Sequence, residues 1–181
     1  MPLRWSPTSE IEDVGVIDLT GVGNLRIQFE ALADERNRRD AIAENREDDP
    51  RILVASTKDD VPLFVMRGFR EVFDRIGLRT VDSDGDVLIG GALRRFFVTE
   101  RDTYEGEVSL MVTLKSPSGA LLWEGIVSGS ATRWGRSYSA DNYCETLSDS
   151  TFDAAAHFLQ SSAFVAALRS ARPTPAGSAQ Q

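Results

Sequence analysis

Cysteine and histidine are almost missing from this chain: each occurs once, as Cys144 and His157. A single cysteine makes no internal disulfide and cannot build a thiolate zinc site alone. Cysteine usage therefore leaves the compartment open. Any serine or cysteine nucleophile assisted by an imidazole would have to recruit His157. The sequence also lacks an apolar run near the roughly 18 residues that suggest a membrane-crossing helix. Residues 1–24 do not read as a signal peptide, because Glu10, Glu12, Asp13 and Asp18 interrupt any apolar stretch. Read by itself, the chain is expected to be soluble.

Cationic excess is missing too. Aspartate and glutamate number 28 against 20 lysines and arginines, for a formal charge of −8. Nucleic-acid affinity rests on cationic contacts to phosphate, and adhesion to anionic lipid on basic clusters, so both are disfavoured as partners. No phosphate-cradling glycine loop is present: Gly21-Val22-Gly23 has neither the later glycine nor the helix such a loop needs.

What is there is globular. Hydrophobic residues make up 41% and charged residues 27% of 181 residues, enough for one domain with one core. Residues 1–24, with prolines and glycines around a short apolar run, read as an extended leader laid on the surface with at most an edge strand. Leu25, Ile27, Phe29 and Ala31 alternate with polar residues, the pattern of a half-buried strand. Residues 34–50 form a long charged loop, and residues 52–55 a short strand. A helix is expected from a Thr57 cap, with Asp60 as capping-box partner, through Val61, Val65, Phe69, Val72 and Phe73 to Gly77 at C′. Gly68 inside it suggests close backbone approach to a sheet.

The pattern then turns to strands: residues 78–81, a turn at 82–86, and a strand over 87–99 with a bulge expected at Gly90-Gly91. Val108, Leu110, Val112 and Leu114 alternate, and Ser116-Pro117-Ser118-Gly119 turns the chain into a strand over 121–131. A last helix begins near Asp141, with a second helical piece over 163–170. The predicted architecture is α+β in the order β-α-β-β-β-α. An antiparallel or mixed sheet of four to five strands carries two helices on one face. The single domain spans residues 25–170, and residues 171–181 form a disordered tail.

Candidate chemistry is sparse. Asp82, Asp84 and Asp86 suggest a calcium loop, but Gly85 precedes Asp86 and Leu93 stands where a bidentate glutamate is needed. An Asp/Gly turn is the expectation, with no metal and no cofactor. His157 and Ser161, four apart on a helix, lack the sharp turn that presents a nucleophile. Cys144 near a helix start is expected to be a small buried residue rather than a thiolate. Asp34 and Arg36 share a strand face and can pair, worth only about 0–1 kcal/mol if exposed. With Asn45 and Arg46 they form either an ion-pair network that orders the loop or a recognition surface. Arg133, Trp134, Arg136 and Tyr138 cluster before the last helix, where aromatic and arginine residues serve binding hot spots. The other reading of that cluster is a tryptophan closing the end of the core.

Several short segments taken together resemble the YajG-like bacterial envelope lipoproteins. They are Asp34-Glu35-Arg36, Ile42-Ala43-Glu44-Asn45-Arg46, residues 54–57, Asp59-Asp60-Val61, Gly77, Gly119-Ala120-Leu121-Leu122-Trp123-Glu124-Gly125 and Leu147-Ser148-Asp149. The resemblance runs over about residues 22–168. It departs from the family at Ala43, where many relatives carry glycine, and in lacking a lipobox and an anchoring cysteine. It implies a domain of the periplasm or outer membrane, reaching the membrane only through a lipid anchor that this chain does not contain. No catalytic residues come with it. The expected function is that of a non-catalytic binding or accessory domain, its partner an envelope protein or a second copy of itself. The alternatives are a hydrolase using carboxylates of residues 34–49, and a homo-oligomeric structural protein.

Overall fold

A computed structural model of the chain describes residues 1–47, 50–135 and 138–171. The order is β1 (Arg26–Asp34), β2 (Ala43–Asn45), β3 (Leu53–Ala55), α1 (Val61–Arg75), β4 (Arg79–Val81), β5 (Val87–Glu100), β6 (Thr103–Lys115), β7 (Leu121–Trp134), α2 (Ala140–Gln160) and α3 (Ser162–Ser170). The class is α+β as expected, but with seven strands rather than four or five and three helices rather than two. The additional strands are short, and β2 lies inside the segment expected to be a charged loop.

The sheet is mixed. Strands β5, β6 and β7 form the antiparallel meander that the alternating residues predict. On its other edge β5 is paired in parallel by two strands in succession: β1 along Val87–Leu93 and β2 along Val98–Glu100. Strand β4 extends the sheet beyond β1, and β3 extends it beyond β2. The sheet is thus forked, and residues 94–97 of β5 have no strand partner on that edge. The bulge of β5 against β6 falls between Leu93 and Arg95, not at Gly90-Gly91. The glycine pair instead faces an irregularity in β1 between Phe29 and Leu32.

One face of the sheet carries the helices. Phe29, Phe96 and Trp123 meet Phe73, Phe64 and Phe158, with ring centroids 5.3, 5.6 and 5.5 Å apart. Along β6 the even positions from Tyr104 to Leu114 are buried, while the odd positions are partly or fully exposed. Helix α1 begins one turn later than the Thr57 cap predicts. Asp60 is the cap, accepting from the Leu63 N–H at 2.9 Å, and Pro62 sits in the first turn where its missing N–H costs nothing. Gly77, at φ 88°, terminates it as expected. Gly68 is a point of close approach, though to different neighbours: a Cβ there would collide with the Trp5 ring and crowd Thr151 of α2, not the sheet.

The leader contains a 3₁₀ turn (Ile11–Val14) rather than a strand, and it is laced onto the helices. Ser6 N–H donates to Ser148 Oγ at 3.1 Å, Thr8 N–H to Asp149 at 2.7 Å, and Gln160 Nε2 to the Val14 carbonyl at 2.8 Å. Residues 172–181, the expected tail, lie outside the described residues.

Candidate functional site

The register brings the ends of β3, β5 and β7 together. Leu53 pairs with Asn45, Asn45 with Glu100, Glu100 with Tyr104, and Thr103 with Trp134. At the centre of this corner lies Glu100, with 0% of its surface exposed. Alternation through Phe96 and Val98 places it on the core face. It accepts hydrogen bonds from the Tyr143 and Tyr104 hydroxyls, the Asn45 side chain and, at 3.0 Å, the Tyr138 N–H. Burial alone would raise its pKa, but these donors together hold it below the ordinary carboxylate value. Tyr143 is pushed up, first by burial and then by the hydrogen bond to Glu100. Donors to the anion thus come from β2, β6, α2 and the segment before α2.

That segment displays aromatic surface. Trp134 is 83% exposed, so it does not close the core. Tyr138 is 43% exposed, sits at φ 45°, and donates its hydroxyl to the Val54 carbonyl at 3.1 Å. A left-handed conformation is costly for a bulky residue and persists where the surroundings enforce it. Here the Glu100 carboxylate and the Val54 carbonyl do so, holding Tyr138 against β3 at the exposed Val54. Arg133 is occupied by Glu145 at 2.5 Å. Arg136 lies outside the described residues.

The residues predicted from the charged loop divide differently. Asn45 is buried in the Glu100 knot and cannot touch a partner, which corrects the recognition reading for that residue. Arg46 and Arg38 both grip the buried Glu44, Arg38 at 2.9 Å. Burial pushes Glu44 up, and the two guanidinium groups outweigh it, leaving its pKa lowered. Asp34 and Arg36 pair through two bonds of 2.9 Å, but the Arg36 side chain is only 6% exposed. This pair is therefore not the exposed one of the sequence-based expectation. The Arg36 bond first of all, against burial, keeps the Asp34 carboxyl below its usual range. Beside them opens a cleft of about 210 Å³ lined by Arg36, Arg38, Glu44, Arg94, Arg95 and Phe97 among others. Arg38 lies over the Phe97 ring, 5.0 Å from its centroid.

The remaining candidates do not gather around a reacting atom. His157 Nδ1 is 3.1 Å from the Ser128 carbonyl and 3.5 Å from Asp153 on an open surface, while Ser161 caps α3 by accepting from the Phe164 N–H. Cys144 is buried, and that burial raises its thiol pKa. Asp86 binds Arg26 and Asp82 binds Arg70, so the aspartates of the 82–86 turn serve different arginines instead of sharing a cation. Among the described residues no three histidine, cysteine or carboxylate side chains are placed to hold a metal. Sequence reasoning missed Glu100 and the Arg94-Arg95 pair. Both had a signal: an acid continuing the apolar alternation of Phe96 and Val98, and two adjacent arginines interrupting it.

No protein-family model matches the chain, and no curated protein matches it in sequence. Solved structures do match in fold. A Xanthomonas campestris protein of the DUF330 family superposes with a TM-score of 0.54 at 10% identity, over 75% of this chain and 81% of its own. A lipoprotein candidate from Caulobacter crescentus gives 0.48 at 13% identity, over 89% and 96%. A PelC dodecamer from Paraburkholderia phytofirmans gives 0.44 at 12%, over 72% and 89%. The chain shares its fold with the DUF330 protein at the TM-score of 0.54.

Proposed function

We propose that the chain is a non-catalytic binding domain of the YajG-like envelope lipoprotein type. It works on the periplasmic side and engages an envelope protein through the corner built by Trp134, Tyr138 and β3. The observation that carries this reading is a Tyr138 held in a strained conformation by a buried anion, four residues after the exposed Trp134. Large aromatic side chains anchored on a rigid frame are what binding hot spots are made of.

Two of the carboxylates of residues 34–49 stand against the hydrolase reading. A general acid needs a raised pKa, whereas Asp34 and Glu44 are paired with arginines and lowered. The test is a photo-crosslinking residue at position 134 in cells producing the full chain, with one at the exposed Asp84 as control. One defined envelope protein, or a second copy, captured from position 134 and lost on Tyr138→Ala is the expected result. Equal capture from both positions, or none from 134, overturns the proposal.

A further inference from the structure

We propose that the cleft at the fork of the sheet binds a small oxyanion, a phosphate or carboxylate group on a compact molecule. This site is separate from the Trp134 corner and does not depend on it.

Three features converge there. The first is the fork. Pairing of β5 passes from β1, ending at Leu93, to β2, beginning at Val98, and residues 94–97 line the cleft between them. Crevices where neighbouring strands part beyond a carboxyl end are recurrent ligand sites in parallel sheets, and β1 parts from β5 here at its carboxyl end, Asp34. The second is the bulge between Leu93 and Arg95. A bulge breaks the alternation of side chains, and here both Arg94 and Arg95 come to the exposed side, between the buried Leu93 and Phe96. Without it, one of the two would point into the core.

The third is charge. The lining holds Arg36, Arg38, Arg94 and Arg95 against one acid, Glu44, on a chain whose formal charge is −8. Glu44 is already held by Arg38 and Arg46. The acids facing Arg94 and Arg95 are Glu35, at 3.8 Å and beyond hydrogen-bond reach, and Glu107; both pairs are about half exposed. Each guanidinium has five donors, and such pairs use one or two of them. Arg36, a wall of the cleft, is buried and paired with Asp34 through Nε and Nη2, yet its Nη1 has no hydrogen-bond partner. A buried donor left without an acceptor is uncommon. Planar guanidinium forks match the paired oxygens of carboxylate and phosphate alike. The volume, about 210 Å³, equals that of about seven waters at ~30 Å³ each, and Phe97 offers an apolar wall. A compact oxyanion with a short carbon frame beside its charge fits that space.

The experiment is an amide-resolved NMR titration of the full chain with inorganic phosphate, with citrate, and with chloride at matched ionic strength. Saturable shifts at residues 94–97 with phosphate or citrate, absent with chloride, are expected; whichever saturates at the lower concentration distinguishes phosphate from carboxylate chemistry. Arg94→Gln with Arg95→Gln should weaken binding at least tenfold without changing the melting temperature appreciably, since both side chains stand at the surface. Arg36→Lys, which keeps the charge but loses the fork, should weaken it as well. Shifts that chloride reproduces, or binding unaltered by the Arg94/Arg95 variant, overturn the proposal. Trp134→Ala should leave the titration unchanged, so failure of the partner reading and failure of this one are told apart.

Discussion

Glu100 illustrates how one side chain can set the shape of a surface it never reaches. A buried carboxylate survives only if donors replace the water it lost, and the donors to Glu100 include the residues that fix the aromatic corner. Glu100→Gln keeps the volume but turns one acceptor oxygen into a donor facing other donors. Destabilisation of about 2 kcal/mol is expected in urea unfolding, with Tyr138 freed from its left-handed conformation. A variant as stable as the parent would mean that the knot contributes nothing. The pH dependence follows from the direction of the shift. Because the folded pKa lies below the ordinary value of 4.5, the contribution is complete above that value and is lost as pH falls through the folded pKa. Asp34 and Glu44 act in the same direction. Stability should therefore fall on acidification below about pH 4.5, and less steeply in Glu100→Gln than in the parent.

Among the elements, β7 shows how an edge is kept from pairing. It bonds to β6 on one side only, and Ile126 on it is 65% exposed. Helix α2 reaches over the other side: Asp153 accepts from the Ser130 N–H at 2.9 Å, and His157 contacts the Ser128 carbonyl. The helix can come so close because position 129 is glycine, where a Cβ would strike the backbone of Ala154. Side chains that occupy edge groups are a known protection against strand addition. Replacing Asp153 and His157 together by alanine should give concentration-dependent association in sedimentation velocity, suppressed again by Ile126→Lys. A double variant that stays monomeric would show that the edge needs no cover.

The elements also show what a sequence can and cannot disclose. Strands β5, β6 and β7 and helix α1 were legible because alternation and helical spacing are local properties. Strand β2 was not, since Glu44 and Asn45 are polar residues whose burial depends on Arg38, Arg46 and the distant Glu100. For the same reason the site was half legible. Trp134, Tyr138 and Arg36 could be nominated by residue type, but nothing local distinguished a displayed Trp134 from a buried one, or an exposed Arg36 from one walled in.

At the scale of the whole molecule, the leader is a strap joining parts the sheet does not join. It runs from Ser56, bonded to the Met1 ammonium at 2.6 Å, across α1 and α2 to Arg169 in α3, which binds Asp18. Trp5 sits between Gly68 and Phe64, its ring 5.9 Å from the latter. Removing residues 1–14 should strip this packing and lower Tm by roughly 6–12 °C, taking the lost burial as about 3 kcal/mol. Unchanged melting by calorimetry would show the strap to be decorative.

The strap has a temporal consequence as well. Its bonds to α2 and α3 link residues 137 to 151 positions apart. During synthesis at ~5–20 residues per second, Thr8 waits ~7–30 s for Asp149 to be made. Until then the bonds of residues 4–9 to α2 cannot form, and Trp5 has only its α1 contacts with Phe64 and Gly68. A chaperone that holds extended segments would find the strap half-fastened for that whole interval.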